Sequence, residues 1–188
     1  PRELKLTPPL LEALQQKTGA TDPAEHFALD VRDVFFAPLA KLPDFSSYYP
    51  KGLPKLWSPA GWEVGEWGVG VKECTTYHFV HIEHPMRHLT TIEELELYPF
   101  PDPTPPERHR HLAGEVRRLH DRGLFAIGFM EWTIFEIAWH MRGMEELFND
   151  LAFTPPFAEY LLDRITAIRC AQARLHAAAG VDLLKIGD

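Results

Sequence analysis

Cysteine is scarce in this chain of 188 residues, and neither a long apolar run nor an excess of positive charge is present. The two cysteines, Cys74 and Cys170, form no C-x-x-C pair and are too few for a disulfide framework, so we expect a reducing, cytoplasmic setting. No segment approaches the roughly 18 apolar residues of a membrane span. A net charge of -8 argues against nucleic acid as the main partner. We therefore predict neither a membrane nor a nucleic-acid partner.

Alternation of apolar runs with helical patterns predicts an α/β fold. Residues 124–129 have the composition of a buried strand, and a helical pattern over residues 133–151 follows directly. Pro155 opens a second amphipathic helix that ends at Gly180, and residues 181–186 have the composition of the next strand. A strand, a helical crossover and a second strand make up the unit of a parallel sheet.

Residues 31–36 are predicted as the first of three parallel strands, after two short helices that begin at Pro8 and Pro23. Three strands are too few for a closed eight-stranded α/β barrel, which usually needs roughly 250 residues. The last predicted strand also lacks a helix to cover it, although parallel sheets are normally covered on both faces. We therefore expect the chain to be the N-terminal part of a longer polypeptide, with an apolar sheet edge that is either exposed or covered by a partner segment.

Two further segments interrupt the α/β pattern. A β-hairpin insertion is predicted at about residues 62–82, with one strand over residues 62–72 and the other over residues 75–82. The proline-rich stretch at residues 98–106 predicts an extended connector, because proline removes a backbone donor and fixes φ. A helix over residues 106–122 is predicted to follow it.

Several short motifs occur in an order that covers nearly the whole chain. Each one alone is weakly specific, but their order and spacing together resemble the uroporphyrinogen-decarboxylase-like superfamily, in particular the branch shared with corrinoid-dependent methyltransferases. The motifs are Glu66-Trp67-Gly68-Val69, Glu83-His84-Pro85, residues 91–103, Phe135-Glu136, Arg142-Gly143-Met144-Glu145, Asp163-Arg164 and Ile186-Gly187-Asp188.

The resemblance implies a single domain over residues 1–188, the N-terminal part of a (β/α)8 TIM barrel with its pocket at the carboxyl ends of the strands. It implies an enzyme that transfers a methyl group involving a corrinoid (a cobalamin) or a methylated small molecule. A small-molecule substrate, a corrinoid protein and a second copy in a homodimer are the partners that it allows. The alternatives are uroporphyrinogen decarboxylase proper, a lyase of porphyrin biosynthesis, and a non-catalytic barrel relative that acts as a binding partner.

Two features of the family are missing from this sequence. The decarboxylases carry an Arg-Gln-Ala-Gly-Arg-Tyr segment after the first strand, which grips substrate carboxylates, and nothing after residues 31–36 resembles it. The thiol-activating methyltransferases bind zinc through a His-x-Cys pair and a later Cys, and Cys74 and Cys170 are not arranged in this way. The resemblance therefore favours methyl transfer over decarboxylation, and any zinc ligands are expected only beyond Asp188.

Polar and aromatic residues follow the second parallel strand, where barrel enzymes build their pockets. We predict Glu131 as a catalytic acid or base, or as a group that holds a cation or hydroxyl of the ligand. Trp132 and Phe135 are suited to stack on a flat ligand such as a corrinoid, a tetrapyrrole or a methoxyaromatic compound, with Glu136 as a further substrate contact. The alternatives are that Glu131 is solvated or lies near a helix N-terminus, and that Trp132 is a core residue.

Asp188 and Arg32 complete the set of candidate residues. Asp188 follows the third strand, where its carboxylate is a catalytic candidate that would accept hydrogen bonds from pyrrole N–H groups or hold a substrate hydroxyl. The alternative for Asp188 is a helix N-cap or a bridge to a neighbouring loop. Arg32 lies on the first strand beside Asp33 and is a candidate substrate contact, although an inward charged pair is also typical of a structural ion pair.

Overall fold

The computed structural model describes residue 4 and residues 6–50, 62–73 and 80–188. Within these residues the chain is a mixed α/β protein with two three-stranded sheets. One sheet is parallel and the other is antiparallel. The parallel sheet carries the strand ends at which the site residues are predicted.

Eight α-helices occur in the described part of the chain, and several begin at a proline, as the sequence predicts. Asp22 caps the second helix by accepting hydrogen bonds from the N–H groups of Ala24 and Glu25. Thr91 and Glu94 form a capping box at the third helix. The helices are α1 (Pro8–Thr18), α2 (Pro23–His26), α3 (Ile92–Glu96), α4 (Pro106–His109), α5 (Leu112–His120), α6 (Phe135–Arg142), α7 (Met144–Phe153) and α8 (Pro155–Ala179).

The strands of the described residues are β1 (Val31–Val34), β2 (Trp62–Val64), β3 (Gly70–Glu73), β4 (Val80–Glu83), β5 (Phe125–Glu131) and β6 (Leu183–Gly187). β5 lies between β1 and β6 and is parallel to both. Val34 is opposite Gly128, and Met130 is opposite Ile186. The predicted unit of strand, helical crossover and strand is thus confirmed. The three parallel strands do not close into a barrel.

The predicted hairpin insertion belongs to an antiparallel sheet with the strand order β2–β3–β4. The prediction of one strand over residues 62–72 is wrong, because β2 ends at Val64 and a turn precedes β3. In this turn the N–H of Gly65 donates to the carbonyl of Val69 at 3.1 Å. β3 and β4 are antiparallel neighbours, as the two strands of a hairpin must be. The residues that connect them, 74–79, lie outside the described part of the chain.

Two predicted helices are interrupted in the structure. The sequence predicts one helix over residues 133–151, but α6 and α7 are separated by Gly143. Gly143 has a φ of 97°, a conformation that only glycine adopts readily, and an added Cβ would collide with the carboxylate of Glu146. The predicted helix over residues 106–122 is likewise divided into α4 and α5.

α8 begins and ends where the sequence predicts, at Pro155 and before Gly180. Thr154 occupies its N-cap position, but the hydroxyl donates to Asp150 Oδ1 at 3.1 Å instead of capping the helix. One face of α8 is buried in the larger of two core clusters, through side chains that include Leu161 and Ile165. None of the helices in the described ranges, α8 included, is long and apolar enough to cross a membrane.

One face of the parallel sheet packs against α5 and α8. Val34 and Ala126 are fully buried there in a cluster with Leu112 of α5. Gly128 of β5 faces His176 of α8, and a Cβ added at Gly128 would lie 2.7 Å from the imidazole Cγ. The close approach of α8 to the sheet therefore requires glycine at this position.

On the opposite face of the parallel sheet Ile127 is buried, but Phe35 at the carboxyl end of that face and the outer edge of β6 are exposed. Phe35 and Phe129 lie side by side on this face with their ring centroids 4.9 Å apart, and Phe35 is 52% exposed. The edge strand β6 carries the exposed side chains of Leu183, Leu184 and Ile186. The expected exposed apolar sheet edge is thus present.

Candidate functional site

A cleft of about 500 Å³ opens where β5 and β6 end. The N–H of Thr133 donates to the carbonyl of Gly187 at 2.9 Å, and the N–H of Gly187 donates to the hydroxyl of Thr133 at 3.0 Å. These two bonds join the ends of neighbouring strands. The cleft is lined by Trp132, Phe135, Glu136, Trp139, Ile186, Gly187 and Asp188.

The carboxylate of Asp188 caps α6 from the neighbouring strand. Its Oδ1 accepts hydrogen bonds from the N–H of Glu136 at 2.8 Å and from the N–H of Ile134 at 3.0 Å. The first N–H groups of a helix have no partner within the helix, and the helix dipole favours a negative charge near them. Asp188 thus bridges to the segment that begins α6, as one of its structural alternatives describes, and its contact with a ligand stays a prediction.

Trp132 has a backbone conformation that is uncommon for any residue except glycine. Its φ of 58° lies in the left-handed region, which costs roughly 1–2 kcal/mol for a residue with a Cβ. Arg169 stabilises this conformation, because Nη2 donates to the carbonyl of Trp132 at 2.6 Å and Nε donates to the carbonyl of Thr133 at 2.9 Å. The indole is 42% exposed at the cleft, so the alternative that Trp132 is a core residue is wrong.

Arg169, which the sequence does not single out as a candidate, supports the cleft from α8. Its guanidinium lies 4.9 Å from the ring centroid of Trp67, and Nη1 donates to Oε1 of Gln172 at 2.8 Å. Burial lowers the pKa of Arg169 to about 10, while the nearby carboxylates of Glu66 and Asp188 oppose that shift. An arginine within the apolar face of a predicted helix is the sequence signal that could have identified it.

His140 packs behind the two tryptophans of the cleft. Its ring centroid is 4.6 Å from that of Trp132 and 3.9 Å from that of Trp139. Burial, together with a smaller effect of His84, lowers the pKa of His140 to about 4, so its ring is neutral at pH 7. His84 Nδ1 lies 2.8 Å from the carbonyl of His140. Because a carbonyl only accepts, Nδ1 of His84 carries the proton.

Four of the six predicted site residues meet in this cleft, namely Trp132, Phe135, Glu136 and Asp188. Glu131 ends β5 with its backbone opposite Gly187, directly before the cleft. Its side chain lies outside the described part of the structure. The strand-end rule therefore brings together residues that are more than 50 positions apart in the chain.

Arg32 is not brought to the cleft. Its Nη1 donates to the carbonyls of Leu29 at 2.7 Å and Val31 at 2.8 Å, and its Nη2 forms an ion pair with Glu25 at 2.8 Å. These partners lie before or at the amino end of β1, whereas the cleft lies at the carboxyl ends of β5 and β6. Arg32 therefore forms a structural ion pair, as the alternative interpretation predicts, and its partner is Glu25.

The cleft offers a ligand aromatic rings and carboxylate oxygens. The rings are suited to a flat, largely apolar ligand, and Glu136 and Asp188 supply acceptors. No group of three or more histidine, cysteine, aspartate or glutamate residues that could hold a metal ion occurs among the described residues. Comparison of the chain with protein-family models, with curated proteins and with solved structures finds no match.

Proposed function

We propose that the chain forms the opening strands of a barrel of the uroporphyrinogen-decarboxylase-like group. The parallel order β1–β5–β6 with helices packed on one face supports this proposal. On the opposite face, Phe35, Phe129 and Lys185 lie in one row, with Lys185 Nζ 5.7 Å from the ring centroid of Phe129. Inward-facing residues of neighbouring barrel strands form such rows. The exposed side chains of Leu184 and Ile186 lie on the face that α8 packs against, where the next helix of a barrel would cover them.

The proposed activity is methyl transfer involving a corrinoid. The observation that carries it is the convergence of Trp132, Phe135, Glu136 and Asp188 on one cleft at the carboxyl ends of parallel strands, where barrel enzymes bind their ligands. With Trp139, these residues bring three aromatic side chains to the cleft, the residue type on which a flat macrocycle stacks. A bound corrinoid would supply the metal that carries the methyl group.

The residues of this chain bind and orient in the proposed mechanism. Trp132 and Phe135 hold the flat ligand against the wall of the cleft, and Arg169 fixes the backbone from which Trp132 projects. Asp188 is a positioning residue, because its carboxylate holds the start of α6. Glu131, at the end of β5, is the proposed acid or base.

The test mixes full-length protein with methylcobalamin and a candidate acceptor such as a thiol, and follows the visible spectrum. We expect formation of cob(I)alamin with at least one acceptor class, slowed on the order of tenfold or more by Trp132→Leu, because the ligand loses its platform. Phe153→Leu changes a side chain that is 80% exposed on α7 and serves as the matched control with unchanged rate.

Two other outcomes of this experiment would each support one of the alternative functions. Turnover of uroporphyrinogen without any spectral change of methylcobalamin would identify a decarboxylase. Binding of methylcobalamin with neither reaction would identify a non-catalytic barrel relative, and the proposed methyl transfer would be abandoned in both cases.

A further inference from the structure

A second cavity, of about 430 Å³, lies beside the segment that follows β1. Its apolar walls include Phe36, Leu39 and Leu42 from that segment and Val64 from β2. A cavity near 150 Å³ is enough to hold benzene, so this one has room for a small ring together with a polar group. None of its lining residues belongs to the cleft at the ends of β5 and β6.

A largely buried ion pair forms the polar end of this cavity. Nη2 of Arg108 lies 2.7 Å from Oε2 of Glu66. The arginine side chain is only 3% exposed, whereas the glutamate side chain is 25% exposed. The carboxylate is therefore the more accessible member of the pair, and the buried guanidinium beside it balances its charge.

Backbone hydrogen bonds hold the elements that present this ion pair. The N–H of Ala37 donates to the carbonyl of Arg108 at 2.8 Å, which joins the segment after β1 to α4. The turn that carries Glu66 is closed by the hydrogen bond from the N–H of Gly65 to the carbonyl of Val69. The cavity is thus formed before any ligand enters, which reduces the entropy cost of binding.

We propose that this cavity binds a small neutral alcohol or phenol, whose hydroxyl donates to Glu66 and whose apolar body contacts Phe36 and Leu42. Glu66 and Arg108 neutralise each other, and the nearby Arg169 is balanced by Asp188, so a charged head group would leave one uncompensated charge in an apolar cavity. A pure hydrocarbon would displace water from the carboxylate without replacing its hydrogen bond. A neutral donor avoids both costs. This site goes beyond the proposed methyl transfer and does not depend on it.

Three probes with the same fluorinated ring separate these possibilities: para-fluorobenzyl alcohol, para-fluorobenzoate and para-fluorobenzylamine. Their binding to the purified protein at neutral pH is measured by fluorine NMR line broadening. We expect the alcohol to bind at least about tenfold more tightly than either charged probe, since each of those brings an unbalanced charge. Tightest binding by a charged probe, equal binding of all three, or no binding of the alcohol would overturn the proposal.

Leu42→Trp locates the bound probe. The larger side chain fills the cavity without removing either member of the ion pair, so binding of the alcohol should be lost. Leu10→Trp makes the same change at a position of α1 that is 55% exposed, and it should leave binding unchanged. Binding that survives Leu42→Trp would belong to another site and would refute the assignment.

Glu66→Gln tests the charge argument. The variant leaves Arg108 as an unbalanced charge in the wall of the cavity, so para-fluorobenzoate should now bind more tightly than the alcohol. Circular dichroism verifies that the variant is folded. A folded variant that keeps the wild-type order of affinities would contradict the proposal. For a variant that does not fold, the comparison of Leu42→Trp with Leu10→Trp decides the question alone.

Discussion

The carboxylate of Asp188 accepts a 2.8 Å hydrogen bond from the backbone N–H of Glu136, a residue 52 positions earlier in the chain. The N–H of Ile134 donates to the same carboxylate, so the end of β6 and the start of α6 form one unit. A cleft whose walls are joined in this way keeps its shape before a ligand arrives. Less ordering free energy is then lost on binding.

Replacement of Asp188 should destabilise the fold through loss of this cap. Asp188→Ala is expected to lower the free energy of unfolding by about 1 kcal/mol, and Asp188→Asn by less, because the amide oxygen still accepts. Urea denaturation measures both. Asp163→Ala removes a carboxylate from an exposed position of α8 and should change stability by less than about 0.5 kcal/mol. Equal losses at the two positions would contradict the capping role.

Because the backbone of Trp132 is strained, replacement by glycine should give a more stable protein than replacement by alanine, the reverse of the usual order in a helix. Trp132→Gly and Trp132→Ala remove the same indole, but at a φ of 58° the glycine variant should be more stable by about 1 kcal/mol. The same pair at Trp139, within α6, should show the ordinary helical order, with alanine more stable by about 1 kcal/mol. Urea denaturation compares the four variants. The same order at both positions would rule out the left-handed conformation.

Loss of Arg169 should destabilise the segment after β5. Arg169→Met is expected to cost roughly 3 kcal/mol, because the carbonyls of Trp132 and Thr133 lose a charged donor. Arg169→Lys should recover less than half of this loss, since an ammonium does not reproduce the planar fork. Arg174→Met, at an exposed position of the same helix, is the control and should stay within about 0.5 kcal/mol of wild type. Denaturation by urea gives the three values, and indistinguishable losses for Arg169→Met and Arg174→Met would refute this role.

His176 should make the protein less stable in mild acid. Burial lowers its pKa from 6.5 to about 4, so the unfolded chain takes up a proton more readily than the folded one. Its contribution is complete above pH 6.5 and is lost as the pH falls towards about 4, by an amount on the order of 3 kcal/mol at most. His140, whose pKa is lowered in the same way, acts in the same direction.

The measurement for His176 is the free energy of unfolding as a function of pH. Across the window from about pH 6.5 to about pH 4, His176→Gln should lose less stability than the wild-type protein, because glutamine does not titrate. His88→Gln replaces an exposed histidine and should retain the wild-type slope. A slope that His176→Gln leaves unchanged would show that the imidazole is not the group responsible.

Local chemistry made part of this fold predictable. Asp22 before a proline, and Pro155 with Gly180 at the two ends of α8, each mark a helix end through an unpaired backbone group or a fixed φ. The breaks at Gly65 and Gly143 were not predicted, because an isolated glycine inside a regular pattern is tolerated at a cost of about 1 kcal/mol. Sequence alone therefore leaves open whether such a glycine ends the element.

From the sequence, only those site residues that follow the end of a predicted strand could be identified. Asp188 and Trp132 meet because parallel neighbours end at the same edge of a sheet, which is a property of topology. Arg32 lies on the predicted strand but does not reach the cleft, since a position on a strand does not show towards which end of the sheet the long side chain extends. Arg169 was missed because its partner is the carbonyl of Trp132, 37 positions away, and no spacing rule connects the two residues.

The close contact of His176 with Gly128 has a mechanical consequence for the rest of α8. Arg169 lies seven positions earlier on the same helix, a rise of roughly 10 Å. An α-helix is stiff over that length, so a methyl group added at Gly128 would push His176 away and move Arg169 with it. A displacement at His176 would thus be transmitted along the helix to Arg169, which holds the carbonyl of Trp132. The orientation of Trp132 is therefore sensitive to the size of the residue at position 128, which lies outside the cleft.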